Sequence, residues 1–267
     1  MVIVDAHTHV HRHWFEPVES LIYQMDRNGV KHAVLIQDLD ETNNEYQFEC
    51  LRQFPGRFAS VVYVDTSRPE ASQELERLAE LGAVGVRWRV NTRSPGSDPL
   101  AIWRTAERLG LAISCPGTGS DWASEETYRL LQAVPKLQVV MEHLGLSRYD
   151  PNREPAPVEM CRRTYSRLAS LPNVYIKVHG LGEFCRRAVP HTEPFPFEVP
   201  IPPLLELAYE AFGPSRMMWG SDYPPVGIRE GYRNSLRFTM DQFATKSEED
   251  RRLIFGGTAL AVFPIHE

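Results

Sequence analysis

Two histidines one residue apart, His7 and His9 of Asp5-Ala6-His7-Thr8-His9, close the first apolar run of the chain. Alternate residues of a strand share a face, so the two rings leave it together. Two imidazoles so placed bind one divalent cation or hydrogen-bond one polar group of a substrate. His143, in Met141-Glu142-His143-Leu144-Gly145, closes a later apolar run. Asp222, in Trp219-Gly220-Ser221-Asp222-Tyr223-Pro224, closes the last one. An aspartate beside several histidines serves as general base or metal ligand. Each residue also has a plainer reading: surface histidines, a satisfied structural histidine, an aspartate that only caps the next segment. His11 and His13 continue the alternation into a loop and read as solvated rim residues.

Arg87 and Arg89 share one face of Gly85-Val86-Arg87-Trp88-Arg89. A guanidinium directed into a pocket mouth binds carboxylates through paired, charge-assisted hydrogen bonds. The competing use is an ion pair with an acid of the rim. Arg87 lies deeper and is the expected substrate contact. Tyr46, Trp122 and Tyr223 are aromatic candidates for the pocket wall, with ordinary packing as the alternative.

The elements that must position these residues repeat. Eight short β-branched runs begin at residues 2, 32, 58, 83, 111, 137, 173 and 216, spanning 2–5, 32–37, 58–64, 83–89, 111–115, 137–142, 173–178 and 216–220. Amphipathic stretches fill the gaps. Residues 70–81 gather Leu75, Leu78, Ala79 and Leu81 on roughly one face, and residues 99–109 gather Ile102, Trp103, Ala106 and Leu109. Gly29, Gly82 and Gly110 stand where left-handed helix caps belong. Strand and helix in steady alternation form a parallel sheet. Eight units predict closure into one (β/α)8 TIM barrel over residues 1–267, with an open sheet as the alternative. Residues at the carboxyl ends of barrel strands carry chemistry. The longest connections, 148–157 and 186–203, follow strands 6 and 7 and are expected to act as specificity loops.

Composition narrows the partners. The 267 residues carry a net charge of -6, with Lys and Arg scattered, which argues against nucleic acid and against an anionic membrane surface. No apolar run reaches the roughly 18 residues of a membrane span, and the amino-terminal sequence reads as a strand rather than a signal peptide. A cytoplasmic location is the expectation. Cys50, Cys115, Cys161 and Cys185 form no Cys-x-x-Cys pair and read as free thiols. A homo-oligomer is left open.

Together these motifs resemble the amidohydrolase superfamily, in its amidohydrolase-related branch of lactonases and metal-dependent decarboxylases. The His-x-His of strand 1, the His-Leu-Gly after strand 6, Asn173-Val174-Tyr175-Ile176-Lys177, the Gly-Ser-Asp-Tyr-Pro of strand 8 and the closing Ile254-Phe255-Gly256-Gly257-Thr258-Ala259-Leu260 occur in order across the whole chain. The resemblance implies that His7, His9 and Asp222 hold a divalent metal, zinc foremost, in metal-bearing members. It implies that His143 polarises or positions a substrate carbonyl, and that Asp222 activates water. Two positions depart from the pattern. Strand 5 ends Ser114-Cys115-Pro116 without the histidine of the decarboxylase type, which leaves metal-independent action open and Cys115 as either a thiolate ligand or a core thiol. His179 replaces a serine common in related lactonases and is a candidate substrate contact or packing residue. The expected activity is hydrolysis of a lactone of a small carboxylic acid. The alternatives are a metal-dependent decarboxylase and a non-catalytic binding barrel.

Overall fold

The structure, a computed structural model, describes residues 1–13, 16–190 and 195–266. Its centre is one sheet of eight strands: β1 (Ile3–Thr8), β2 (Val30–Ile36), β3 (Phe58–Val62), β4 (Ala83–Arg87), β5 (Ala112–Cys115), β6 (Val139–Met141), β7 (Val174–Val178) and β8 (Met217–Trp219). Their spatial order is their chain order, and every adjacent pair from β1–β2 to β7–β8 is parallel. The first and last strands meet through a parallel bridge between Thr8 and Tyr223, with His9 N–H donating to the Tyr223 carbonyl at 2.7 Å. Closure, which spacing alone left open, is therefore made at the strand ends that bear the candidate residues.

A helix follows each strand on the outside: Val18–Arg27, Glu45–Gln53, Ala71–Glu80, Ala101–Leu109, Glu125–Ala133, Val158–Leu168, Leu204–Phe212 and Tyr232–Gln242. The helix Ala101–Leu109 buries Ile102, Trp103 and Ala106, three of the four positions its periodicity selected. Gly110 caps it at φ 70°, in the left-handed region that suits glycine.

Two apolar clusters follow from the strand alternation. The larger joins one set of strand residues, among them Leu35, Val62, Ile113 and Ile176, to the helices. The smaller joins the opposite set, among them Val4, Val34, Val61, Ala112, Val140 and Met218, to Ala259, Val262 and Phe263 of the carboxyl-terminal segment. That second set faces away from the helices and is the barrel interior, with Phe263 in its floor. Apolar side chains fill the lower interior, so polar side chains of the same strands collect at the carboxyl end. Among the described residues no helix is long and apolar enough to cross a membrane. Of the connection 186–203, residues 191–194 lie outside the described residues, and Arg187 and Phe197 on either side form an antiparallel bridge.

Candidate active site

Strand 1 and strand 8 bring the first group together. The Asp222 N–H donates to the His7 carbonyl at 2.9 Å, and Ser221 N–H donates to the Asp5 carboxylate at 2.7 Å. A Cβ on Gly220 would lie 2.6 Å from the Cβ of His7, so only glycine lets the chain approach there. Asp222 has φ 59°, a left-handed conformation that aspartate tolerates, and it turns the carboxylate back over the strand ends. The register of β1 against β2 shifts between Asp5 and Thr8, just where the two histidines leave the strand.

The Nε2 atoms of His7 and His9 lie 3.1 Å apart, and Asp222 Oδ1 lies 3.7 Å from the first and 3.5 Å from the second. Three ligands each about 2.1 Å from a tetrahedral ion stand about 3.4 Å from one another, so this triangle fits one divalent cation. The His9 Nδ1–H donates to the Ile36 carbonyl at 2.8 Å, which in the neutral ring leaves Nε2 as the electron-pair donor. His7 presents its Nε2 pair only when Nδ1 carries the proton, and Nδ1 faces Lys177 Nζ at 3.2 Å. Burial, partly offset by Glu142, lowers Lys177 to about 7. Burial and the charge of Lys177 hold His7 well below its ordinary value.

Beneath this pair runs a buried polar chain. Lys177 donates to Ser114 Oγ at 2.7 Å, and Ser114 donates to Glu142 Oε1 at 2.5 Å. Arg87 grips both oxygens of Glu142, at 3.1 and 2.9 Å, and also donates to the Gln37 carbonyl at 3.1 Å. Burial opposes the Glu142 charge, but Arg87 and Lys177 overcome it and hold the acid at about 2. Arg87 therefore touches the cavity with its fork already engaged, while Arg89 is paired with exposed Asp40 at 3.3 Å.

His143 begins a short turn after β6, with φ 53°. Its Nδ1 lies 2.6 Å from Glu183 Oε1. Burial disfavours its charge, yet the Glu183 carboxylate outweighs burial and raises His143 to about 9. Arg229 completes this side. One guanidinium nitrogen lies 2.8 Å from Asp222 Oδ2 and 3.3 Å from Glu183 Oε1. Burial works against ionised Asp222, but the cations His143 and Arg229 keep it well below the usual carboxylate range.

His143, Asp222, Glu183, Arg229 and Arg87 border a cavity of about 740 Å³ at this end of the barrel. The residues 148–152 of the strand-6 connection form part of its wall, as does Phe184. His179 is fully buried behind the cavity, its ring stacked on His143 at 4.4 Å, and neither of its nitrogens has a hydrogen-bond partner among the described residues. Cys115 belongs to the cluster that faces the helices, whereas its neighbour Ser114 faces the interior. Burial raises the Cys115 thiol well above its ordinary value, which suits a core thiol and not a thiolate ligand. Trp122, Tyr46 and Tyr223 lie outside the lining of this cavity, and Tyr149 and Phe184 provide its aromatic surface. Of the residues that sequence reading passed over, Lys177 and Glu142 carried a signal: each is a charge inside a strand-like apolar run. Glu183 and Arg229 sit in loops without any such pattern.

The amidohydrolase family profile matches residues 4–265. The chain belongs to the amidohydrolase family. It is 32% identical over 242 residues to an L-fucono-1,5-lactonase of Burkholderia ambifaria, covering 83% of this chain and 80% of that one. A 4-sulfomuconolactone hydrolase of Hydrogenophaga intermedia is 22% identical over 249 residues, 89% of this chain and 76% of the relative. Among solved structures, an amidohydrolase from Burkholderia multivorans with bound zinc superposes with a TM-score of 0.78 at 19% identity, covering 99% of this chain and all of that one. This amidohydrolase thus shares its barrel fold with that protein.

Proposed function

We propose that this amidohydrolase opens a lactone, or a similar cyclic ester, of a small carboxylic acid. The observation that carries the reading is one carboxylate, Asp222, set between two kinds of histidine at the edge of one cavity. Its Oδ1 faces the His7 and His9 nitrogens, and its Oδ2 faces Arg229 with the cationic His143 nearby. The relatives named as lactonases support the choice of ester. Decarboxylation of the metal-dependent type draws less support, since strand 5 offers the site Ser114 and no histidine.

In this reading water lies against Asp222 Oδ1, which takes its proton as the oxygen attacks the lactone carbonyl carbon. Negative charge grows on the carbonyl oxygen. His143, held as an imidazolium by Glu183, is the donor that stabilises it. The ring C–O bond then breaks, and Asp222 returns the proton to the departing alkoxide. The product is a hydroxy acid, which sheds its own proton to solvent. His7, His9 and Asp222 would hold a divalent ion, zinc by the match of two imidazoles and a carboxylate, and it would supply Lewis acidity to the carbonyl and to water.

The test is a panel of sugar δ-lactones and carboxylate-bearing γ-lactones, followed by proton release with the purified protein, with and without added zinc. Turnover of a panel member, with metal content measured in the same preparation, is the expected result. Release of carbon dioxide from an unsaturated acid, with no lactone opened, overturns the reading.

A further inference from the structure

Four arginines border the cavity: Arg87, Arg89, Arg148 and Arg229. Three are committed. Arg87 is bound to Glu142, Arg89 to Asp40, and Arg229 to Asp222 and Glu183. Arg148 has no acid partner and makes no side-chain hydrogen bond among the described residues. Two acids in the same lining do not answer it. Asp121 accepts from Thr118 N–H at 2.8 Å and from its hydroxyl at 2.7 Å, closing a helix cap. Asp150 accepts from Asn152 N–H at 2.9 Å and pairs with Arg153 at 3.1 Å.

The backbone under Arg148 is unusual as well. Residues His143, Leu144 and Gly145 all have φ between 53° and 71°, and Arg148 follows at 70°. A residue with a Cβ adopts this region at a cost, which surrounding contacts must sustain. Those contacts are present on both sides. The Ser147 N–H donates to the Gly117 carbonyl at 3.1 Å, and Gly117 N–H donates back to Ser147 Oγ at 3.2 Å. The Tyr165 hydroxyl donates to the Leu144 carbonyl at 2.7 Å, and the Tyr149 hydroxyl donates to the Glu154 carbonyl at 3.0 Å. The segment is therefore fixed from strand 5, from the following helix and from its own loop. A cation with no partner is displayed at the cavity wall on a strained, braced backbone five residues beyond His143.

We propose that Arg148 is the specificity residue of this cavity, binding an anionic oxygen group, carboxylate or sulfonate, carried by the lactone. This rests on the lactonase reading above. A guanidinium presents parallel N–H donors that match such groups, and Arg148 alone among the four has no acid partner among the described residues. The group recognised is remote from the scissile ester. Its binding places the ring carbonyl against His143 and Asp222, which border the same cavity.

The experiment pairs a γ-lactone carboxylate with its neutral primary amide, in wild type, Arg148→Met, Arg148→Lys and Arg148→Gly. The expected result is that Arg148→Met cuts the carboxylate-over-amide ratio of kcat/KM at least tenfold, mainly through KM of the carboxylate. Arg148→Lys should recover part of the ratio, since charge returns without the fork. Arg148→Gly relieves the left-handed backbone, so it should match the Met variant in selectivity while melting no lower than wild type. Equilibrium binding of the corresponding lactam carboxylate, which is not hydrolysed, reads the same contact without turnover. It should weaken at least tenfold in Arg148→Met. An equal loss for carboxylate and amide, or an unchanged lactam affinity, overturns the proposal. If wild type binds the lactam carboxylate through Arg148 yet opens no lactone, the lactonase reading falls and the anion site stands.

Discussion

The ring centres of His7 and His143 lie 5.3 Å apart, yet their surroundings give them opposite charge behaviour. His7 is enclosed, and burial with Lys177 close by suppresses its cation. His143 borders the cavity with Glu183 at 2.6 Å, and that carboxylate sustains its cation against burial. One side of the site therefore offers electron pairs, with His9 and Asp222 completing the set. The other side offers donors, with Arg229 beside His143. A nucleophile is assembled on the first side and an oxyanion is received on the second. The comparison shows that residue type does not fix a histidine's role here. The neighbouring charge, brought in from another strand, fixes it.

Asp222 belongs to both sides, so its replacement is the severest challenge. Asp222→Asn keeps the shape and removes the proton acceptor, and kcat should fall by about 10²–10⁴. Retention of more than about a tenth of turnover in steady-state assays would remove Asp222 as the base.

Arg87 supports the His7 side from below. Arg87→Met leaves Glu142 buried without its fork, and stability should fall by about 3–5 kcal/mol in denaturant titrations. The double variant Arg87→Met/Glu142→Leu should regain much of that loss. A single variant as stable as wild type would show that the pair contributes nothing to the platform under His7.

Zinc binding separates the two sides directly. His9→Asn should weaken zinc by more than about a hundredfold, since outer partners of ligands alone are worth about 10–100-fold. His143→Asn should keep zinc stoichiometry, measured by equilibrium dialysis with elemental analysis. Equal losses in both variants would merge the two sides into one metal cluster.

The donor side is tested by pH. His143 is raised to about 9, so its ion pair with Glu183 stabilises the fold fully below the ordinary histidine value near 6.5. That stabilisation is lost as pH rises through about 9. Glu183→Gln should return His143 toward 6.5, lower activity at pH 8 by about ten- to thirtyfold, and move the alkaline limb of kcat/KM down. An alkaline limb that stays near pH 9 in this variant would assign the donor role to another group.

The sequence by itself determined the alternation of strand and helix, and with it the eight strands found here. It also placed His7, His9, His143 and Asp222 at strand ends, because periodicity and chain punctuation are local properties. Strand limits moved by a few residues, as at β1, which extends to Thr8 and carries His7 within it. The tertiary structure decided what local pattern does not contain. Closure through Thr8 and Tyr223 joins residues more than 200 positions apart, and the bond from Ser221 to Asp5 spans 216. Lys177 reaches His7 across 170 positions, and Arg87 reaches Glu142 across 55. Whether Ser114 or Cys115 faces the site is a matter of one residue in strand phase, settled by the cluster each side chain enters. Charge states followed last, since burial and neighbouring charge exist only once the barrel has closed.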